Sequence, residues 1–126
     1  MNEIRVVIID DEAWTRDTIK RMGRWRELHC RIVGEASDGH SGLECIRQLQ
    51  PQIIITDMKM PGLDGARMLQ ELESIPLKPK VIVVSGYADY TYTRQALTSN
   101  AVDYLLKPIK EQELHRTLVT CIEAIK

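Results

Sequence analysis

Four short apolar runs in this chain end in polar or charged residues, and this pattern restricts the fold more than any other feature. The runs cover 6–9, 53–55, 81–84 and 105–106, and the residues that end them are Asp10 and Asp11, Thr56 and Asp57, Ser85, and Lys107. Short runs of this kind, rich in Val and Ile, are typical of buried parallel strands. Because parallel strands end at one edge of a sheet, these polar side chains are predicted to share one pocket.

Segments with helical periodicity separate the predicted strands. We predict strands at 4–9, 31–36, 53–56, 80–85 and 102–106. The apolar stripes at helical spacing are Ala13, Ile19 and Met22; Leu43, Ile46 and Leu49; Met68, Leu69, Leu72 and Ile75; and Leu114, Leu118, Val119, Ile122 and Ile125. A helix at about 89–98 has the weakest pattern. This alternation predicts a doubly wound α/β fold with a five-stranded parallel sheet, in the flavodoxin-like order 2-1-3-4-5.

Size and charge exclude several classes of protein. With 126 residues the chain fits one domain, 1–126, and its 17 basic and 18 acidic residues are scattered, so this segment is not expected to bind nucleic acid. Its apolar runs fall far short of the roughly 20 residues of a membrane-spanning helix. No secretion signal precedes the first strand, and the three cysteines form no disulfide or zinc pattern. We therefore expect a cytoplasmic protein with no membrane partner, small buried thiols, and His29, His40 and His115 at its surface.

The predicted pocket has the composition of a magnesium and phosphoryl site. Asp10, Asp11 and Asp57 would repel one another unless a cation held them, and an all-oxygen cluster suits a hard divalent ion such as Mg²⁺. Lys107 beside them favours an anionic ligand, most simply a phosphoryl group. Glu12 stands where the first helix begins, and we assign it only to helix capping and to interaction with the helix dipole.

Four segments in a fixed order combine the strand ends with their polar residues: VVIIDDE at 6–12, IITDMKMPGLDG at 54–65, VIVVSGY at 81–87 and VDYLLKP at 102–108. With these segments, the sequence resembles the receiver domain of a two-component response regulator over essentially its whole length. The resemblance implies that Asp57 accepts a phosphoryl group as an acyl phosphate. It also implies that Asp11 and Asp57 bind Mg²⁺ directly, that Asp10 acts largely through water, and that the backbone carbonyl of Lys59 completes the protein ligands.

The same resemblance assigns the remaining polar residues of the pocket. Lys107 would contact the phosphoryl oxygens, across a cis peptide bond to Pro108. Ser85 and Tyr104 would form the switch, in which the Ser85 hydroxyl moves toward the phosphoryl oxygens and Tyr104 turns inward to fill the space.

The implied function is signalling rather than turnover catalysis. The domain would take phosphate from a sensor histidine kinase, catalyse only its own phosphorylation and dephosphorylation, and form a homodimer on phosphorylation. The face that responds would be the predicted helix at 89–98, the fifth strand and the last helix. The segments 23–25 and 85–92 also resemble receivers joined to AraC-type helix-turn-helix domains. That likeness implies transcriptional control, with DNA bound only through a domain absent from this chain.

Two alternatives remain open at the level of sequence. One is a phosphorylation-independent receiver-like interaction module, although every expected polar position is filled. The other is an enzyme on the same fold. A flavodoxin would carry a Ser/Thr-rich loop where 11–14 is DEAW, and a haloacid-dehalogenase phosphatase would carry a second Asp at the position of Lys59. Both departures disfavour an enzyme.

Overall fold

A computed structural model of the chain describes residues 3–57, 65–72, 74, 76, 78–86 and 103–125. Its strands are β1 (Ile4–Ile9), β2 (Cys30–Ala36), β3 (Ile53–Asp57), β4 (Lys80–Ser85) and β5 (Asp103–Leu106). Its helices are α1 (Ala13–Met22), α2 (Gly39–Leu49), α3 (Gly65–Leu72) and the C-terminal helix (Glu111–Ile125). The predicted helix at 89–98, Ile75 and the side chain of Leu69 lie outside the described part. Within that part, no helix is long and apolar enough to cross a membrane.

The five strands are all parallel, in the order β2-β1-β3-β4-β5. This confirms the doubly wound flavodoxin-like fold. The register aligns Ile9 with Thr56 and Ser85 with Leu106, so four strands end nearly level at one edge of the sheet. We call this the carboxyl edge. Each crossover returns the chain to start a parallel strand, and this brings residues from distant segments together there.

Apolar packing on both faces of the sheet explains why the central strands contain continuous apolar runs, at 6–9, 53–55 and 81–84. Val6 and Ile8 belong to a core cluster shared with α1 and the C-terminal helix, whereas Val7 and Ile9 pack against α2 and α3. All four side chains are fully buried. Burial of such side chains stabilises the fold by about 1.5–3 kcal/mol each relative to exposure. The strands are therefore rigid supports for the residues that follow them.

The buried residues of helix α1 differ from those predicted. Ala13 is exposed, whereas Thr15 and Ile19 are the buried positions and Met22 is half-buried. Thr15 and Ile19 are four residues apart and so share one helix face, and that face lies against the sheet. The helix ends where the Gly23 amide donates to the Ile19 carbonyl oxygen at 3.1 Å.

The isolated cysteines and histidines follow the predictions only in part. Cys30 and Cys121 are buried free thiols as expected, while Cys45 is half-buried. His29 and His40 are exposed. His115 was predicted at the surface but is half-buried in the C-terminal helix, where its Nδ1 is shielded from solvent and has no hydrogen-bond partner.

Candidate functional site

Asp10 is fixed at the end of β1 by contacts to its backbone and its side chain. Its amide donates to the Ala36 carbonyl at 3.0 Å, and its own carbonyl accepts from Arg16 Nη1 at 2.7 Å. Its Oδ1 accepts the backbone N–H of Glu12 at 2.9 Å. The residue is 1% exposed, and Oδ2 is a buried oxygen without a hydrogen bond. The carboxylate is therefore held rigidly, with one oxygen left available to a cation.

Asp57 closes β3, beside β1 in the sheet. It is the last residue of the strand rather than the first residue after it, one position later than predicted. Its side chain is 6% exposed, and Oδ2 lies 3.1 Å from Lys107 Nζ. The neighbouring Thr56 is fully buried, and its hydroxyl donates to the Asp57 carbonyl at 2.8 Å. The Asp57 carboxylate is thus placed in the same pocket as Asp10.

Lys107 follows β5 and brings a positive charge to these carboxylates. Its amide donates to the Ser85 carbonyl at 2.9 Å, and its peptide bond to Pro108 is cis, as the resemblance implied. The ammonium lies 3.1 Å from Asp57 Oδ2, 3.2 Å from Asp10 Oδ2 and 3.3 Å from Glu12 Oε1. Within the described part of the chain Asp10 Oδ2 has no hydrogen-bond partner, so its contact with Lys107 is an attraction between charges.

Burial and mutual repulsion perturb the ionisation of the pocket. Burial, reinforced by the negative charge of Asp57, raises the pKa of Asp10 from 3.8 to about 6, against the lowering effects of the Glu12 amide and Lys107. Burial alone would lower the pKa of Lys107, but Asp57 and Asp10 outweigh it and hold that pKa above its ordinary value. Lys107 therefore remains protonated, whereas ionised Asp10 is costly without a further cation.

Glu12 does not act as the simple helix cap that the sequence suggested. It occupies the N-cap position of α1, and its carbonyl accepts from the amides of Thr15 and Arg16, but its side chain makes no capping hydrogen bond. Instead, Oε1 contacts Lys107 Nζ and Oε2 accepts from Trp14 Nε1, both at 3.3 Å. Hydrogen bonds from the Trp14 indole and from Lys107 lower the pKa of Glu12. Because the Glu12 side chain does not cap the helix, its carboxylate can contact the pocket.

Arg16 is a second residue that the sequence analysis missed. Its guanidinium donates to the Asp10 carbonyl and also pairs with Glu35 on β2, at 2.8 Å. Glu35 is in turn paired with Lys20 at 2.7 Å. Arg16 lies one helical turn after Glu12, on the face nearest the carboxyl edge, and that spacing could have identified it. It stabilises the backbone from which Asp10 projects.

The donor set fits a hard divalent cation. Carboxylate oxygens of Asp10, Asp11 and Glu12 lie within 4.8 Å of one another. Among the described residues, the nearly buried carboxylates of Asp10 and Asp57 face only the Lys107 ammonium, so negative charge is in excess there, and Asp10 Oδ2 has no hydrogen bond. Oxygen ligands in excess of positive charge are what Mg²⁺ prefers. Lys59, predicted as a backbone ligand, lies outside the described residues.

The predicted switch residues lie on adjacent strands. Ser85 is fully buried at the end of β4, and Tyr104 is half-buried on β5, where it packs against the apolar cluster around Val7 and Ile9. Tyr104 pairs in register with Val83, two residues before Ser85. The two residues thus belong to neighbouring strands, Ser85 at the carboxyl end of β4 and Tyr104 two residues before the end of β5.

The fold and this pocket define a class of protein: a flavodoxin-like α/β domain with acidic side chains and one lysine at its carboxyl edge. Comparison with known proteins identifies the family within that class. The sequence matches the response regulator receiver domain over residues 6–119. The chain belongs to this family, whose members are signalling domains rather than conventional enzymes.

The similar proteins include transcriptional regulators. The uncharacterized transcriptional regulatory protein YesN of Bacillus subtilis is 33% identical over 122 residues, which are 97% of this chain and 33% of YesN. The REC domain of AraT, a response regulator from Geobacillus stearothermophilus, superposes with a TM-score of 0.92 at 30% identity, covering 97% of this chain and 95% of that domain. A two-component transcriptional regulator AraC from Clostridium phytofermentans has a TM-score of 0.86, also at 30% identity, and the match covers 96% of this chain and 94% of that structure. Among curated relatives, this chain spans about a third of the length of YesN and about half the length of two response regulatory proteins of Staphylococcus epidermidis.

Proposed function

We propose that this domain accepts a phosphoryl group on Asp57 from the phosphohistidine of a sensor histidine kinase. One carboxylate oxygen of Asp57 forms the new O–P bond while the N–P bond of the donor breaks, and the electron pair stays with the imidazole nitrogen. The observation that carries this proposal is the contact of the nearly buried Asp57 carboxylate with Lys107, 3.1 Å away. This ammonium lies where it can attract an anionic donor.

Magnesium is the cofactor we propose for this reaction. Asp11 and Asp57 would hold it directly, Asp10 largely through water, and the Lys59 carbonyl would complete the protein ligands. When bound, Mg²⁺ neutralises charge on the phosphoryl oxygens. The chain itself orients the nucleophile on β3, excludes bulk water from Asp57, and supplies Lys107 to the transferred group.

Phosphorylation of Asp57 would then change the conformation of Tyr104 on β5. We propose that Ser85 donates its hydroxyl to the phosphoryl oxygens and that Tyr104 moves further into the apolar cluster it already contacts. The output surface is the predicted helix at 89–98 with β5 and the C-terminal helix. Dimerisation at that surface would control transcription, through a DNA-binding segment outside these 126 residues. The transcriptional regulatory protein YesN, of which the matched region covers 33%, supports this output.

Incubation with acetyl phosphate and Mg²⁺ tests the central proposal. Intact mass spectrometry should detect one added phosphoryl group, which Asp57→Ala abolishes. Asp17→Ala removes an exposed carboxylate of α1 and is the control that should still be phosphorylated. No added mass in the wild type, or the same addition in Asp57→Ala, would favour the phosphorylation-independent interaction module instead.

A further inference from the structure

We propose that Glu12 is a positioning residue for Lys107, and that it competes with the phosphoryl group for the Lys107 ammonium. This inference rests on the proposed phosphorylation of Asp57. Glu12 holds the ammonium on the solvent side of the pocket, while Asp10 and Asp57 hold it from the buried side. Lys107 must loosen its contact with Glu12 when an anion arrives on Asp57.

The geometry separates Glu12 from the two buried carboxylates. The Glu12 side chain is 49% exposed, whereas those of Asp10 and Asp57 are 2% and 6% exposed. Its two oxygens have different partners, the Lys107 ammonium and the Trp14 indole. Trp14 is 64% exposed, so the indole N–H fixes the carboxylate from the outer side.

Helix capping does not explain this orientation. The short side chain of Asp, Asn, Ser or Thr at an N-cap position accepts from the amides of the first turn, and Glu is not among the preferred caps. Here the Glu12 side chain makes no such bond, and its amide is already satisfied by Asp10 Oδ1. The side chain instead reaches a residue 95 positions away in the sequence. The interaction therefore belongs to the pocket and not to the helix.

Competition for the ammonium has a defined direction. With Glu12 present, an anion on Asp57 gains the attraction of Lys107 only after part of an existing ion pair is given up. Removing the Glu12 charge while keeping its shape should release Lys107 to the anion. We expect Glu12→Gln to bind Mg²⁺ with beryllofluoride about two- to fivefold more tightly, the range for one half-exposed ion pair.

Calorimetric titration of the protein with Mg²⁺ and beryllofluoride measures this change in affinity. Asp17→Asn is the matched control, because it removes one exposed charge from α1 without touching Lys107, and it should bind as the wild type does. In a Lys107→Ala background the gain from Glu12→Gln should disappear, since the proposed effect passes through the ammonium. An equal gain in that background, no gain at all, or weaker binding through loss of a metal ligand would each overturn the inference.

A measurement without ligand separates this inference from the proposed function. The chain has two tryptophans, so Trp14→Phe identifies the Trp14 indole N–H in a ¹H–¹⁵N NMR spectrum. Both Glu12→Gln and Lys107→Ala should shift that signal, whereas Asp17→Asn should not. An unmoved signal in Lys107→Ala overturns the positioning role. If the two variants show these shifts but the wild type binds no beryllofluoride, phosphoacceptance and the competition are both refuted. Only the contact between Glu12 and Lys107 would then remain.

Discussion

At the residue scale, the described part of the pocket holds more negative charge than the Lys107 ammonium can balance. Asp10 carries most of this imbalance, because it is 1% exposed and lies beside the carboxylate of Asp57. An acid whose pKa is raised on folding binds its proton more tightly in the native state than in the unfolded chain. Its ionisation therefore lowers the stability of the protein as the pH rises from 3.8 to about 6, and this loss is complete above that range.

Substitution of Asp10 by Asn should stabilise the metal-free protein at neutral pH. A pKa raised to about 6 corresponds to an upper bound on the order of 3 kcal/mol at pH 7, and the lost contact with Lys107 reduces this gain. Urea unfolding in the presence of a chelator should give a higher midpoint for Asp10→Asn at pH 7. At pH 4 the two midpoints should converge. A variant that is less stable at pH 7 would contradict the raised pKa.

Sequence reasoning predicted those residues of the pocket that follow buried strands, and it missed those that depend on side-chain direction. Asp10, Asp57 and Lys107 could be placed because strand ends in a parallel sheet share an edge, and the structure brings them together. Glu12 was assigned to capping because acidic residues are favoured at helix N-termini, and a sequence shows this without any long-range contact. Its true partner, Lys107, is recognisable only once β1 and β5 occupy the same sheet.

At the scale of elements, α1 ends in a tight contact between a glycine and an aromatic ring. The Trp25 ring lies over Gly23, and Trp25 Nε1 donates to the Lys20 carbonyl at 3.1 Å, which satisfies one carbonyl of the last helical turn. Trp25 also packs against the core cluster shared with the C-terminal helix. This end of α1 is thus joined to the sheet. Apolar periodicity located the helix but not this contact, which depends on the path of the chain after Met22.

Replacing Gly23 by Ala should destabilise the domain. A Cβ at this position would overlap the atoms of the Trp25 ring, so the ring or the helix end must shift, at a cost of about 1–3 kcal/mol. The midpoint of urea denaturation measures this loss. In a Trp25→Leu background the same substitution should cost much less, because the overlapping ring is gone. An equal loss in both backgrounds would place the strain elsewhere.

At the scale of the whole molecule, the sheet order connects the pocket to a distant surface. Ser85 and Tyr104 lie on β4 and β5, and the exposed Leu106 follows on the same edge strand. A change at Asp57 thus needs to cross only two strands to reach solvent. The sheet order itself was predictable, because apolar strands buried on both faces permit few arrangements. The helix at 89–98, which belongs to the proposed output surface, stays a prediction.

Beryllofluoride with Mg²⁺ should change the oligomeric state if the proposed output surface pairs two copies of the domain. Light scattering after size-exclusion chromatography should detect a larger mass with the ligand and a monomer without it. Asp57→Ala, which lacks the binding carboxylate, should remain monomeric under both conditions. An unchanged mass for the wild type, once beryllofluoride binding has been verified by calorimetry, would contradict phosphorylation-dependent dimerisation.

Lys107 is synthesised after the buried carboxylates that it contacts. Lys107 follows β5, whereas Asp10 and Asp57 belong to the first half of the sequence. On the ribosome, the carboxylates therefore emerge long before the ammonium that balances them. Until Lys107 leaves the tunnel, a nascent chain would hold the carboxylates of Asp10 and Asp57 without this ammonium beside them.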